Sequence, residues 1–90
     1  MKQQNQNTFT YDERLQSFKK RHNLQEVNTS KEAAFALRVS DFTMRLSRST
    51  GLLLGTNAPK HSKYGRAVRY HAGDLMNWFE QNENQDSEAA

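Results

Sequence analysis

Two capping boxes constrain this chain more than any other feature. Thr10-Tyr11-Asp12-Glu13 and Thr29-Ser30-Lys31-Glu32 each set a threonine three residues ahead of a glutamate. At that spacing the hydroxyl and the carboxylate can satisfy each other's backbone N–H groups, which marks where a helix begins. After the first box Tyr11, Leu15 and Phe18 recur at i, i+4 and i+7, one apolar stripe on a charged segment. That helix is expected to end near His22-Asn23. After the second box Glu32 to Leu37 is a short run of mostly good helix formers. Arg38-Val39-Ser40 interrupts it, and Ser40 caps a third helix expected to reach about Ser49. Gly51 is placed to end that helix in a left-handed conformation.

The second half is punctuated differently. Residues 51–59 hold two glycines, Asn57 and the single proline, Pro59, and read as a loop. Lys60 to Tyr70 reads as two short strands around Gly65-Arg66, a pair suited to a type II′ hairpin turn. Tyr64 then faces Ala67, and Ser62 faces Arg69. A last helix is expected from Ala72 to about Gln81, with Leu75, Trp78 and Phe79 on one stripe. The polar residues 1–8 are expected to be disordered, 9–81 to form one domain, and 82–90 to be an acidic flexible tail.

Only 34% of the 90 residues are hydrophobic. A chain of this size buries about two-thirds of its unfolded surface at best, so the core is thin. There is no cysteine, which excludes disulfides and thiolate metal sites. The longest apolar run is Leu52-Leu53-Leu54, so no membrane span or signal peptide is expected and the default location is cytoplasmic. The formal net charge is +3, yet Glu80, Glu83, Asp86 and Glu88 all lie in the last eleven residues. Residues 1–79 carry all thirteen Lys and Arg against six acids, an excess of +7. A basic body with an acidic tail suggests a polyanionic partner.

Two short helices joined by a three-residue turn, then a basic hairpin, then a helix, is the order of a winged helix-turn-helix. A helix of about ten residues fits the major groove, and a tight turn fixes it against its partner. A hairpin bearing Lys and Arg can lie along the backbone and neutralise phosphates. From Lys60 to His71 the hairpin holds Lys60, Lys63, Arg66, Arg69 and two histidines, with no acid. The fold class expected is mainly α with a small β-hairpin, plus an extra N-terminal helix.

Thr29-Ser30-Lys31-Glu32-Ala33-Ala34, Val39-Ser40, Gly51, Pro59, Gly65-Arg66-Ala67-Val68-Arg69-Tyr70 and Asp74-Leu75-x-x-Trp78 together resemble the excisionase and AlpA-like group of MerR-like winged-helix proteins. The resemblance covers residues 28–80. It implies double-stranded DNA as partner, an integrase as a second partner, self-association on DNA, and work as a recombination directionality factor that bends DNA and also regulates transcription. The chain departs from the pattern in three places. Arg38 stands where the turn glycine is expected, which asks for a different backbone solution; the Leu52 to Ala58 segment is long; and Tyr11 to His22 lies outside the match.

The resemblance implies that the helix beginning at Ser40 reads bases. One helical frame buries Val39, Thr43 and Leu46 and exposes Asp41, Met44, Arg45 and Arg48. The frame the family suggests buries Met44 and leaves Phe42, Arg45 and Ser49 outward. Arg45 is outward in both and is the first candidate for a base contact, because arginine can bind guanine bidentately; Arg48 is the second. The full candidate set for DNA is Ser40, Thr43, Arg45, Arg48, Ser49, Lys60, Lys63, Arg66 and Arg69.

Trp78, with Phe79, Leu75, Val68 and Tyr70, reads as the core joining hairpin to last helix rather than as a base-stacking platform. His22, His61 and His71 are dispersed, so no zinc site is expected. No nucleophile is placed beside a base and no Gly-rich phosphate loop occurs, so neither an enzyme nor a cofactor is expected. Rival readings are a plain transcriptional regulator, the DNA-recognition domain of a phage terminase small subunit, which this pattern also resembles, and, from another class, a protein-interaction module built on the Tyr11-Leu15-Phe18 stripe.

Overall fold

Both capping boxes form. In the computed structural model, which describes residues 9–89 with side chains as far as residue 83, the Thr10 and Thr29 hydroxyls accept from the Glu13 and Glu32 backbone N–H groups. The two glutamates return the bond to the threonine N–H groups at 3.0 and 2.8 Å. These boxes start α1 (Tyr11–His22) and α2 (Ser30–Leu37). Ser40 caps α3 (Asp41–Thr50), which ends at Gly51 with φ +81°. The disorder expected for 1–8 lies outside the described residues.

The described residues form four helices, a small three-stranded antiparallel sheet and a separate two-stranded one. Three elements were not expected from the sequence. Val27–Thr29 forms β1, which pairs with β5 (Ala67–His71) in the register Val27↔His71, Asn28↔Tyr70, Thr29↔Arg69. The segment expected as a loop contains a second hairpin, β2 (Leu52–Leu53) with β3 (Thr56–Asn57). The expected hairpin, β4 (Ser62–Tyr64) with β5, has the expected register, Tyr64↔Ala67 and Ser62↔Arg69. Of its two turn residues only Gly65 has positive φ, the type II′ pattern. The sheet order is β1-β5-β4, so β5 is central.

Helix α4 (Ala72–Ala89) follows β5 without a linker. It runs past Gln81, through residues expected as a flexible tail, because no Gly or Pro stops it there. Ala72, Leu75 and Met76 are buried, while Trp78 and Phe79 are half-buried against the core. Trp78 also ties α4 to β3, its indole N–H donating to the Asn57 carbonyl at 2.9 Å. On the other flank α1 lies on α4. Leu15 and Phe18 are buried, and Phe79 meets Phe18 edge-on and His22 face-on at 5.4 and 4.9 Å.

Two turns hold residues in conformations that glycine or asparagine usually takes. Arg38 ends α2 at φ 61°, ψ 41°, and Val39 donates back to the Ala34 carbonyl. The turn therefore keeps the left-handed geometry of a glycine turn and needs no different backbone solution. Leu54 and Gly55 link β2 to β3 with φ 53° and 81°, a type I′ turn. A left-handed leucine costs about 1–2 kcal/mol. Leu54→Asn, which restores the preferred Asn-Gly pair, is expected to raise stability by about 0.5–1 kcal/mol, read as a higher denaturant midpoint. An unchanged midpoint would show that the turn is unstrained.

His22 carries a pH dependence. Burial between α1 and α4 lowers its pKa, Arg21 and Arg38 add to the lowering, and Glu83 opposes it. The unfolded chain therefore takes up the proton more readily than the fold does. Stability is full above about pH 6.5, the ordinary histidine value, and falls as pH drops through the lower folded value. Unfolding curves from pH 7.5 to 5 should show this decline, and His22→Gln should flatten it.

Candidate functional site

Between Asp41 and Asp74 the sequence contains no acid, yet it holds Arg45, Arg48, Lys60, Lys63, Arg66, Arg69, His61 and His71. This stretch folds into α3, both hairpins and the link between them. It contains every candidate residue except Ser40, the cap that begins α3.

Helix α3 has one face in the core and one in solvent. Met44 and Ser47 are buried, at 0 and 1% exposure, and Ser47 donates to the Met44 carbonyl at 2.7 Å. This is the frame that leaves Phe42, Arg45 and Ser49 outward; Leu46, buried in the rival frame, joins them. Phe42 is 63% exposed and Leu46 48%. The guanidinium of Arg45 lies 3.8 Å from Asp41 one turn back, a loose exposed pair that leaves its donors available.

The other α3 candidates are engaged within the protein. The Ser40 hydroxyl accepts from the Thr43 N–H at 3.0 Å and donates to the Thr43 hydroxyl at 2.9 Å. Ser49 is exposed and donates to the Leu46 carbonyl. Arg48, the second candidate for a base contact and outward in only one of the two frames, turns inward: its Nη1 donates to the Ser30 hydroxyl at 3.0 Å and to the Tyr70 hydroxyl at 3.1 Å. It joins the start of α2 to the central strand and is a structural arginine.

Lys60, Lys63 and Arg66 are all exposed, and Arg66 occupies the β4–β5 turn. Arg69 differs. It sits mid-strand in β5, half-buried, and Nη1 donates to the Val68 carbonyl at 2.9 Å. Of the candidate residues, those that present free cationic ends are thus Arg45 on α3 and Lys60, Lys63 and Arg66 at or beside the hairpin. Missing from the sequence reading were Leu46 as an outward residue and the fixed position of the β2–β3 hairpin.

Among the described residues no group of three or more His, Cys, Asp or Glu is placed to hold a metal ion, and no helix is long and apolar enough to cross a membrane. The chain matches no protein-family model, no curated protein and no solved structure.

The inward position of Arg48 has a measurable consequence. Arg48→Met keeps the stem but leaves the Ser30 and Tyr70 hydroxyls without their charged donor. It should lower stability by about 1–2 kcal/mol by denaturant unfolding. Arg48→Lys should recover only part, because an ammonium cannot reproduce the planar fork. Unchanged stability in Arg48→Met would mean that the bridge contributes nothing.

Proposed function

We propose that this chain is a sequence-specific DNA-binding protein of the winged helix-turn-helix type. In this reading α2 and α3 are the helix pair, α3 enters the major groove, and the β4–β5 hairpin is the wing. The observation that carries the reading is the acid-free stretch from Phe42 to Gly73, whose exposed cations lie on the two elements that such a protein turns toward DNA. The dimensions agree with it. A ten-residue helix is about 15 Å long, and the major groove is about 12 Å wide. The left-handed turn at Arg38 between α2 and α3 is of the kind such a pair needs.

Within this class the resemblance at Gly65 to Tyr70 and Asp74 to Trp78 favours a recombination directionality factor, which bends DNA and positions an integrase. DNase footprinting on the DNA flanking its gene tests that role. Repeated protected sites beside a recombination junction support it; a single operator at a promoter supports plain transcriptional regulation.

DNA binding itself is tested with two sets of variants. Replacing Lys60, Lys63 and Arg66 by alanine should weaken binding to specific and random duplexes alike. It should also flatten the dependence of log Kd on log salt by up to about three, since each lost phosphate contact removes roughly 0.9. Arg45→Ala should cost about 1–3 kcal/mol on the specific site and much less on random DNA. An unchanged salt slope in the triple variant would remove the wing assignment. Equal losses on both duplexes would make Arg45 a backbone contact.

A further inference from the structure

Phe42 and Leu46 are large apolar side chains left in water on the outward face of α3. Successive helix positions are about 100° apart, so Phe42, Arg45, Leu46 and Ser49 fall within one arc of about 100°. Met44 and Ser47 hold the opposite face in the core, which fixes that arc outward. Because the core does not use Phe42 or Leu46, their apolar surface is available to a ligand.

We propose that Phe42 and Leu46 read thymine through its C5 methyl group, beside a guanine read by Arg45. The inference rests on the DNA-binding reading above and adds the base specificity of its recognition helix. Thymine is the only base that presents an apolar group in the major groove, and aromatic or aliphatic side chains are the groups that contact it. The occupant is duplex DNA rather than an apolar protein surface because of charge. Arg45 lies beside these two side chains on the same face, and no acid follows Asp41 until Asp74. Phe42 also stands in the first turn of α3, the end of a recognition helix that approaches base edges. Four residues of helix rise about 6 Å, a little under two base-pair steps of about 3.4 Å, so the two side chains reach different base pairs.

The experiment begins with duplexes selected by the full chain from a random-sequence pool. Each thymine of the selected site is then replaced in turn by deoxyuridine, which removes the methyl group and leaves pairing, hydrogen-bonding edges and charge intact. Loss of one buried methyl should weaken binding about fourfold, equivalent to about 0.8 kcal/mol, at each thymine read this way. Phe42→Ala should abolish the uracil effect at one of these positions and Leu46→Ala at another. Phe42→Leu, which keeps an apolar side chain, should retain part of it. Both residues are exposed, so the melting temperatures should stay near that of the parent chain. If no duplex is enriched, the DNA-binding reading itself fails. If a site is enriched but uracil is tolerated throughout, this inference falls and the DNA-binding reading stands. It falls as well if the uracil effect persists in both alanine variants, or if those variants bind the selected site normally, which would assign the face to a protein partner.

Discussion

The hydroxyl of Tyr70 is the point through which the parts of this fold are held in register. Tyr70 is fully buried in the central strand β5. Its ring end accepts from Arg48 on α3, whose same nitrogen also donates to Ser30 at the start of α2. Its backbone carbonyl accepts from the Asn28 amide in β1. Asn28 is itself 1% exposed and closes a two-way pair with the Gln25 backbone at 2.8 Å each way. Buried polar groups like these are costly when unpaired, so a complete network permits one arrangement of neighbouring elements and penalises others. One tyrosine therefore fixes where both helices of the α2–α3 pair sit relative to the hairpin.

That registration decides which face of α3 is outward. With Arg48 tied to Tyr70 and Met44 in the core, the helix cannot rotate to present Arg48 and must present Phe42, Arg45, Leu46 and Ser49. The small residues of α2 support this placement: Ala33, Ala34 and Ala36 are buried and let α3 approach closely. The β2–β3 hairpin is held by similar local ties. Leu53 is buried beneath it, Thr56 donates to the Leu53 carbonyl, and Ala58 donates back to Gly51. This anchoring can sustain a left-handed leucine at the tip, which an isolated two-residue hairpin would not hold.

What was legible in the sequence was local. Both capping boxes, the Ser40 cap, the left-handed Gly51 and the β4–β5 register follow from side chains within a few residues of each other. What was not legible depends on partners far along the chain. Val27–Thr29 is three residues long and becomes a strand only by pairing with β5, forty or more residues on. Leu54 hides the second hairpin, since a type I′ turn announces itself by Asn-Gly or Asp-Gly and here reads Leu-Gly. Arg48 carries no local sign that its partners are Ser30 and Tyr70. Leu46 could belong to either helical frame until Met44 was seen in the core. Arg45 escaped this ambiguity because both frames expose it.

The segregation of charge follows from the same packing. Two bases of α1 have acidic partners: Arg14 meets Glu80 of α4 at 2.6 Å, and Lys19 meets Glu26 at 3.0 Å. Both pairs are surface contacts that add little stability, but each offsets a positive charge on the α1 side. The stretch from Phe42 to Gly73 contains no acid to do the same; the acids that border it are Asp41, which pairs loosely with Arg45, and Asp74. A net charge of +3 therefore describes neither half of the molecule. The field outside a protein follows the placement of its charges, and within a Debye length of about 8 Å a polyanion at the hairpin meets mainly Lys60, Lys63 and Arg66. Glu26 and Glu80 thus need not weaken such a partner's binding; by offsetting Lys19 and Arg14 they reduce the competing attraction elsewhere on the surface.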